Sequence, residues 1–175
     1  MKEKSHPLRI IGIDGGNFRI IDYLVSQGRV PNLNKLMCEG VKAELLSSIP
    51  PLSHTAWVSL YTGENTGKHG VYEMVRRQQN SYTLQLINGD SVPQEPLWSV
   101  LSRHGKRVCV YNVPVTYPPR PVNGMMISGM DTPSTESPFT YPEKVKDELL
   151  RLFPDYVIDL SLDAFVSAHP SQPLR

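Results

Sequence analysis

The sequence predicts an α/β protein, a three-layer α/β/α sandwich built around a mainly parallel sheet. Short apolar runs typical of buried strands alternate along the chain with segments whose apolar residues recur at helical spacing. Glycine and proline mark most of the boundaries between these segments. With 175 residues and 39% hydrophobic content, the chain can bury one core, so a single domain over residues 1–175 is expected.

The first elements are read from apolar runs and their breakers. The predicted order is a strand at Leu8–Ile13, an acidic glycine turn at 14–16, a helix from Phe18 to Gly28, a helix from Pro31 to Gly40 and a strand at Val41–Leu46. A strand, a turn and a helix in this order form the first half of a βαβ unit. Because ligands gather at the carboxyl ends of parallel strands, Asp14 is the first candidate functional residue.

The stretch SSIPPLSHTAWVSLYTGENTGKHG, residues 47–70, contains the second candidate. Pro50 and Pro51 prevent a helix from forming before Ser53, and the following residues run without a breaker to Thr62 and Gly63. A hydroxyl therefore lies at the positive end of a short helix. Ser53 can be simply the N-cap of this helix, or it can be a nucleophile.

The remaining segments continue the alternation after a polar interruption. Residues 71–95 are expected to form a surface excursion. The elements predicted after it are a helix from Pro96 to His104, strands at 107–113 and 125–130, the latter ending at Asp131, a helix at 141–152 and a strand at 156–160.

Composition excludes several classes of protein. The net charge is +1 and the longest basic run is the pair Arg76-Arg77, so no nucleic-acid or anionic-membrane surface is expected. No stretch resembles a membrane span or a signal peptide. Cys38 and Cys109 lie in apolar patterns and are expected to be buried thiols rather than a disulfide. A soluble, cytoplasmic protein is predicted, and its oligomeric state is left open.

A serine needs help to act as a nucleophile at neutral pH. A helix dipole contributes at most about 2 kcal/mol to stabilising an alkoxide, whereas a divalent metal lowers the pKa of a bound oxygen far more. Asp14 is a natural hard ligand for such a metal, although a turn or cap role fits its position equally well. His54 is adjacent to Ser53 and points away from it on a helix, which makes it a poor base.

Three blocks of sequence resemble a known family. The segments IIGIDGGNFRIIDYLVSQGRVPNLNKLMCEGV, SSIPPLSHTAWVSLYTGENTGKHGVY and GKRVCVYNVPVTYPPRPVNGMMISGMDTPS occur in the order found in the amino-terminal part of the type I phosphodiesterase/nucleotide pyrophosphatase family. That family belongs to the alkaline phosphatase superfamily, together with sulfatases. The resemblance implies an alkaline-phosphatase-like fold, incomplete at the C-terminus, and metal-dependent hydrolysis of small-molecule phosphate esters.

The resemblance also assigns roles to individual residues. Asp14 matches the family's first metal-binding aspartate, and Ser53 matches its nucleophile, which also contacts the metals. The complete family site holds two divalent ions, zinc or manganese. Thr62, Gly63, His69 and Gly70 match the family's TG…HG signature, in which we interpret the histidine as structural.

One expected element is missing from the sequence. The family's remaining ligands include an Asp-His-Gly motif that this chain lacks, so the chain alone is expected to bind metal weakly and to turn over little. The late candidates Asp155, Asp159, Asp163 and His169 are expected to be solvated.

Two alternatives from other classes remain. IGIDGG also resembles the phosphate loop of ATP-binding sugar-kinase and actin-like domains, although that loop normally continues into a β-hairpin. The third reading is an inactive binding module that keeps the fold without the chemistry.

Overall fold

A computed structural model describes residues 7–159 of the chain as a mixed α/β protein, which confirms the predicted class. Its helices are α1 (Phe18–Ser26), α2 (Pro31–Glu39), α3 (Ser53–Thr62), α4 (Thr66–His69), α5 (Leu97–Arg103) and α6 (Lys144–Leu152). Its strands are β1 (Val75–Arg77), β2 (Leu84–Leu86), β3 (Val108–Val113), β4 (Gly124–Ser128) and β5 (Thr140–Tyr141). A 3-10 turn lies at Gly89–Ser91.

The chain divides into two compact units, the first ending at Leu46 and the second beginning at Ser47. The first unit contains the two helices predicted there. The Asn17 side chain caps α1 by accepting a hydrogen bond from the Ile20 N–H, and Gly28 follows the helix at φ 65°. Pro31 opens α2 as its first residue. The expectation of a single domain stays a prediction.

The strands predicted at Leu8–Ile13 and Val41–Leu46 are wrong. Neither segment pairs with another strand within residues 7–159, and their large apolar side chains are exposed. Leu45, for example, is 90% exposed. The apolar runs identify surface that can be buried, but a strand exists only where a partner completes its backbone hydrogen bonds.

The second unit contains a three-stranded sheet in the order β3-β4-β5. Strands β3 and β4 are parallel, with Val110 opposite Met126, whereas β5 runs antiparallel to β4. The register shifts between Tyr111 and Val113, and the intervening Asn112 has φ 53°. Both long strands were predicted. The prediction of a mainly parallel sheet is wrong for residues 7–159, because β3-β4 is the one parallel pair among them. The three-layer arrangement stays a prediction.

Segment 71–95 combines an exposed hairpin with buried ends. Strands β1 and β2 pair antiparallel, and all of their residues are exposed. Val71, Ile87 and Val92 lie in the core on either side of this hairpin. The excursion is therefore fixed at both ends, because its flanking residues pack against α3.

Three apolar clusters form the core of the second unit. The first packs α3 against the hairpin flanks and the segment after β3. The second lies on β3 and β4 around Val110 and Met126. The third joins Ile127 and Phe139 to Ile158, with α6 packed against it. Residues 156–159 contribute through this packing and not as the strand predicted at 156–160, whose last residue lies outside the described range.

The two cysteines are exposed, contrary to expectation. Cys109 lies on β3, where Val110 is the fully buried residue and the next side chain in each direction faces outward. The continuous apolar run suggested a strand covered on both faces, but β3 is covered mainly on one. Cys38 lies on α2, in which no residue is fully buried.

Candidate functional site

Ser53 is the first residue of α3 and not its N-cap. Leu52 occupies the cap position with extended backbone, and its side chain makes no capping hydrogen bond. The first hydrogen bond of the helix joins the Ala56 N–H to the Leu52 carbonyl at 2.9 Å. The half-buried Ser53 therefore lies in the turn whose unpaired N–H groups give the helix its positive end.

The next residue, His54, forms a buried pair with Asp131. The His54 Nε2 atom lies 2.7 Å from the Asp131 Oδ1 atom, and the two side chains are 5% and 9% exposed. A hydrogen bond to a charged group contributes about 1.5–3 kcal/mol, and a buried carboxylate left without a partner is costly. This contact joins residues 77 positions apart.

The second oxygen of Asp131 is also bonded. Oδ2 accepts a hydrogen bond from the backbone N–H of Val115, which has φ 60°. A β-branched residue in this left-handed region costs about 1–3 kcal/mol, so the surrounding contacts must hold it there. The Tyr61 hydroxyl donates to the Val115 carbonyl at 3.1 Å, which fixes the other side of the same residue.

Burial, assisted by the charge of Asp131, raises the pKa of the Tyr61 phenol well above its usual value of 10. Tyr61 therefore remains a hydrogen-bond donor across the physiological range. Its ring also contacts Trp98, with the ring centres 4.7 Å apart. The first turn of α3 is thus bonded to Asp131 and its last turn to Val115, and these two residues are bonded to each other.

These contacts place the start of α3 at one edge of the sheet. Val115 follows β3 and Asp131 follows β4, so both lie just beyond the carboxyl ends of two parallel strands. Ser53 was expected at a strand's carboxyl end because of a preceding strand at Val41–Leu46. That reason was wrong, but the neighbouring His54 contacts the carboxyl edge of β3-β4 instead.

Sequence reasoning gave His54 little weight and treated Asp131 only as a strand end. The rule that drew attention to Asp14, an acidic residue directly after a buried strand, applies equally to Asp131. It could have found Asp131 as a candidate, although not its partner.

The TG…HG residues form two helix ends. Gly63 and Gly70 end α3 and α4 with φ near 70°, a conformation that favours glycine. The Thr62 hydroxyl donates to the Val58 carbonyl at 2.6 Å and accepts from the Glu64 N–H at 3.3 Å. The signature therefore ends both helices, and its first two residues form the turn between them.

His69 fixes that turn from inside, in agreement with its structural interpretation. The ring is 2% exposed, and its Nδ1 atom accepts a hydrogen bond from the Val71 N–H at 3.1 Å. In the neutral ring the proton is then on Nε2, which donates to the Ser59 hydroxyl at 2.9 Å. Burial lowers the pKa of His69 below its usual 6.5, because a charged ring would lose its hydration.

We expect this histidine to make the protein less stable in acid. The unfolded chain takes up a proton on this histidine near pH 6.5, whereas the folded chain does so only at lower pH. The contribution of His69 to the free energy of unfolding is therefore complete above pH 6.5 and decreases as the pH falls below it. Urea unfolding at pH 7.5 and 5.5 measures how much of the free energy of unfolding is lost in acid. This loss should be smaller in His69→Asn than in wild type, and the asparagine amide oxygen can still accept the hydrogen bond from the Val71 N–H. The exposed His104→Asn is the control. Equal losses in wild type and His69→Asn would contradict the prediction.

Asp14 lies in the first unit, in an exposed turn directly before α1. The turn is closed by a 3.2 Å hydrogen bond from the Gly16 N–H to the Ile13 carbonyl, with Gly15 at φ 63°. After the glycines the chain enters α1, capped by Asn17, and not a β-hairpin. This local structure gives no support to the ATP-binding alternative.

Within residues 7–159, no three His, Cys, Asp or Glu side chains form a group that could hold a metal ion. Asp155 and Asp159 are exposed, as expected for solvated carboxylates, while Asp163 and His169 lie outside the described residues. None of the helices described is long and apolar enough to cross a membrane.

Comparison with known proteins identifies the family. No curated protein and no solved structure gives a significant match to the chain. The family model described as type I phosphodiesterase / nucleotide pyrophosphatase matches residues 8–168, which includes the Asp14 turn, α3 and the Asp131 segment. The chain therefore belongs to the type I phosphodiesterase / nucleotide pyrophosphatase family.

Proposed function

We propose that this chain hydrolyses small phosphate esters and that Ser53 is its nucleophile. The family assignment supports the reaction class, a phosphoric ester hydrolase of the phosphodiesterase/pyrophosphatase type. The observation that carries the choice of Ser53 is its position as the first residue of α3, directly before a residue bonded to the carboxyl edge of β3-β4. This edge of a parallel sheet is where ligands are usually bound.

The local electrostatics suit a phosphoryl group. The first N–H groups of α3 lack acceptors within the helix, so they can donate to phosphoryl oxygens, and the helix dipole favours a negative charge there. In the proposed reaction, the Ser53 Oγ atom forms a bond to phosphorus as the bond from phosphorus to the leaving oxygen breaks. The leaving group departs with the bonding electron pair, and the Ser53 proton passes to a base or to solvent. Water then hydrolyses the phosphoserine and restores the hydroxyl.

The family is generally metal-dependent. A two-metal site requires more ligands than Asp14 and Ser53 can supply, and residues 7–159 contain no cluster that completes it. The described residues therefore do not by themselves fit a two-metal centre, and no step above is assigned to a metal. That Asp14 and Ser53 each supply an oxygen donor to a metal ion stays a prediction.

The chain should hydrolyse bis(p-nitrophenyl) phosphate slowly when Zn²⁺ or Mn²⁺ is added, and should lose this activity when a chelator removes the metal. Nitrophenolate release measures the rate, and calorimetric titration with each metal measures binding. Asp14→Asn should weaken metal binding, because it removes a carboxylate charge, whereas the exposed Asp155→Asn should not. Hydrolysis that persists in chelator, or unchanged binding in Asp14→Asn, would contradict the metal assignment.

A further inference from the structure

We propose that His54 and Asp131 are positioning residues, which fix the first turn of α3 and thereby orient the Ser53 hydroxyl. This inference rests on the proposed role of Ser53 and adds two residues to it. It follows from three features: the absence of a cap on α3, the rigidity of Asp131 and the short covalent connection between His54 and Ser53.

The cap position of α3 supplies no side-chain hydrogen bond to its first turn. Leu52 at the cap position makes no side-chain hydrogen bond, and the two residues before it are prolines, which carry no N–H. Helix ends without such caps fray readily. The buried bond from His54 to Asp131 joins this turn to the sheet edge.

Asp131 is itself held firmly enough to act as an anchor. One carboxylate oxygen contacts His54 and the other accepts from the Val115 N–H, so both are bonded to protein. Val115 is fixed in turn by the Tyr61 hydroxyl, which comes from the last turn of the same helix. A rotation of α3 at its first turn would therefore break the buried hydrogen bond from His54, because Asp131 is held in place and cannot move with the helix.

Ser53 precedes His54 in the chain, so its backbone moves with that residue. A displacement of about 1 Å at a reacting group can reduce a rate by about 10²-fold, since in-line attack depends on distance and angle. Loss of the anchor should thus lower kcat more than it changes KM. The contribution of His54 is to the geometry of Ser53, and no proton transfer is assigned to it.

The test compares His54→Ala with His54→Gln in the full chain. The glutamine amide can still donate to Asp131, so it should restore what alanine removes. The first readout is amide hydrogen exchange by NMR. The Ala56 amide bonds to the Leu52 carbonyl at the start of α3, and the Gly63 amide lies at its other end. The ratio of the Ala56 exchange rate to the Gly63 exchange rate, called the Ala56 exchange ratio below, should be higher in His54→Ala than in wild type. His54→Gln should show the wild-type ratio.

The second readout is hydrolysis of bis(p-nitrophenyl) phosphate. His54→Ala should lower kcat by about 10²-fold with KM changed less than about threefold, and His54→Gln should recover kcat to within about threefold. Phe139→Leu is the control for general destabilisation, because Phe139 is fully buried in the third cluster away from α3. It should lower the unfolding midpoint without changing the Ala56 exchange ratio or kcat.

The outcomes separate this proposal from the proposed function. An unchanged Ala56 exchange ratio in His54→Ala overturns the anchoring. Faster exchange with an unchanged kcat overturns the positioning role, and so does a His54→Gln variant that restores exchange but not kcat, since His54 would then act chemically. If Ser53→Ala retains wild-type turnover, the proposed function fails, and the exchange ratio still decides whether the anchor exists.

Discussion

Replacing Ser53 with alanine should lower phosphodiester turnover by a factor of about 10³ or more while the chain remains folded. The alanine removes the only atom of this side chain that can bond to phosphorus. Residual hydrolysis would come from substrate binding at the helix start without a covalent intermediate. The helix should tolerate the change, because alanine is the best helix former and the Ser53 side chain is not the cap of α3.

Two variants make this result specific. Ser59→Ala removes another hydroxyl from the same helix, one bonded to His69, so it should reduce stability slightly and leave turnover close to wild type. Ser53→Thr keeps a hydroxyl at the same position and should retain part of the activity. Rapid quenching followed by peptide mass spectrometry should detect a phosphoryl group on the peptide containing residue 53 in wild type. Wild-type turnover in Ser53→Ala would remove Ser53 from the mechanism.

Replacing Gly129 with alanine should cause a large loss of stability, about 3 kcal/mol or more in the free energy of unfolding. An added Cβ atom would lie 2.3 Å from the Val113 carbonyl oxygen and 2.6 Å from its carbon. Those are backbone atoms of the neighbouring strand, so the clash can be relieved only by separating β3 from β4. The substitution would also disturb the Asp131 segment, since the Gly129 carbonyl accepts from the Thr132 N–H at 3.0 Å.

Gly105→Ala is the matched control for this prediction. Gly105 has φ 70° and nothing within 4 Å of an added Cβ atom, so alanine there costs only the left-handed conformation, about 1–2 kcal/mol. Urea unfolding followed by circular dichroism measures both variants. A loss in Gly129→Ala no greater than that in Gly105→Ala would show that the two strands are not packed as closely as described.

The helices could be predicted from the sequence because their signals are local. Apolar spacing and the breakers Gly28, Pro31, Gly63 and Gly105 were sufficient to locate α1, α2, α3 and α5 to within a few residues. The strands β3 and β4 were also predicted. The runs at 8–13 and 41–46 were as apolar as these two, yet they form no ladder among the described residues. A run of apolar residues cannot specify its own partner.

The candidate site shows the same distinction. Ser53 could be identified from its position after Pro50 and Pro51 and from the family resemblance. The pair of His54 and Asp131 could not, because its two members lie 77 positions apart and no local signal links one to the other. The N-cap interpretation of Ser53 was wrong for a related reason. The capping preference of serine is a local rule, and the structure places Leu52 at the cap position instead.

The exposure of both cysteines has a practical consequence. Cys38 and Cys109 are free thiols at the surface, one on a helix of the first unit and one on a strand of the second. Without a reductant, purified chains can therefore cross-link to one another through these sulfur atoms. The same thiols accept maleimide dyes or spin labels in the unmodified sequence, and Cys38→Ser or Cys109→Ser directs the label to a single unit.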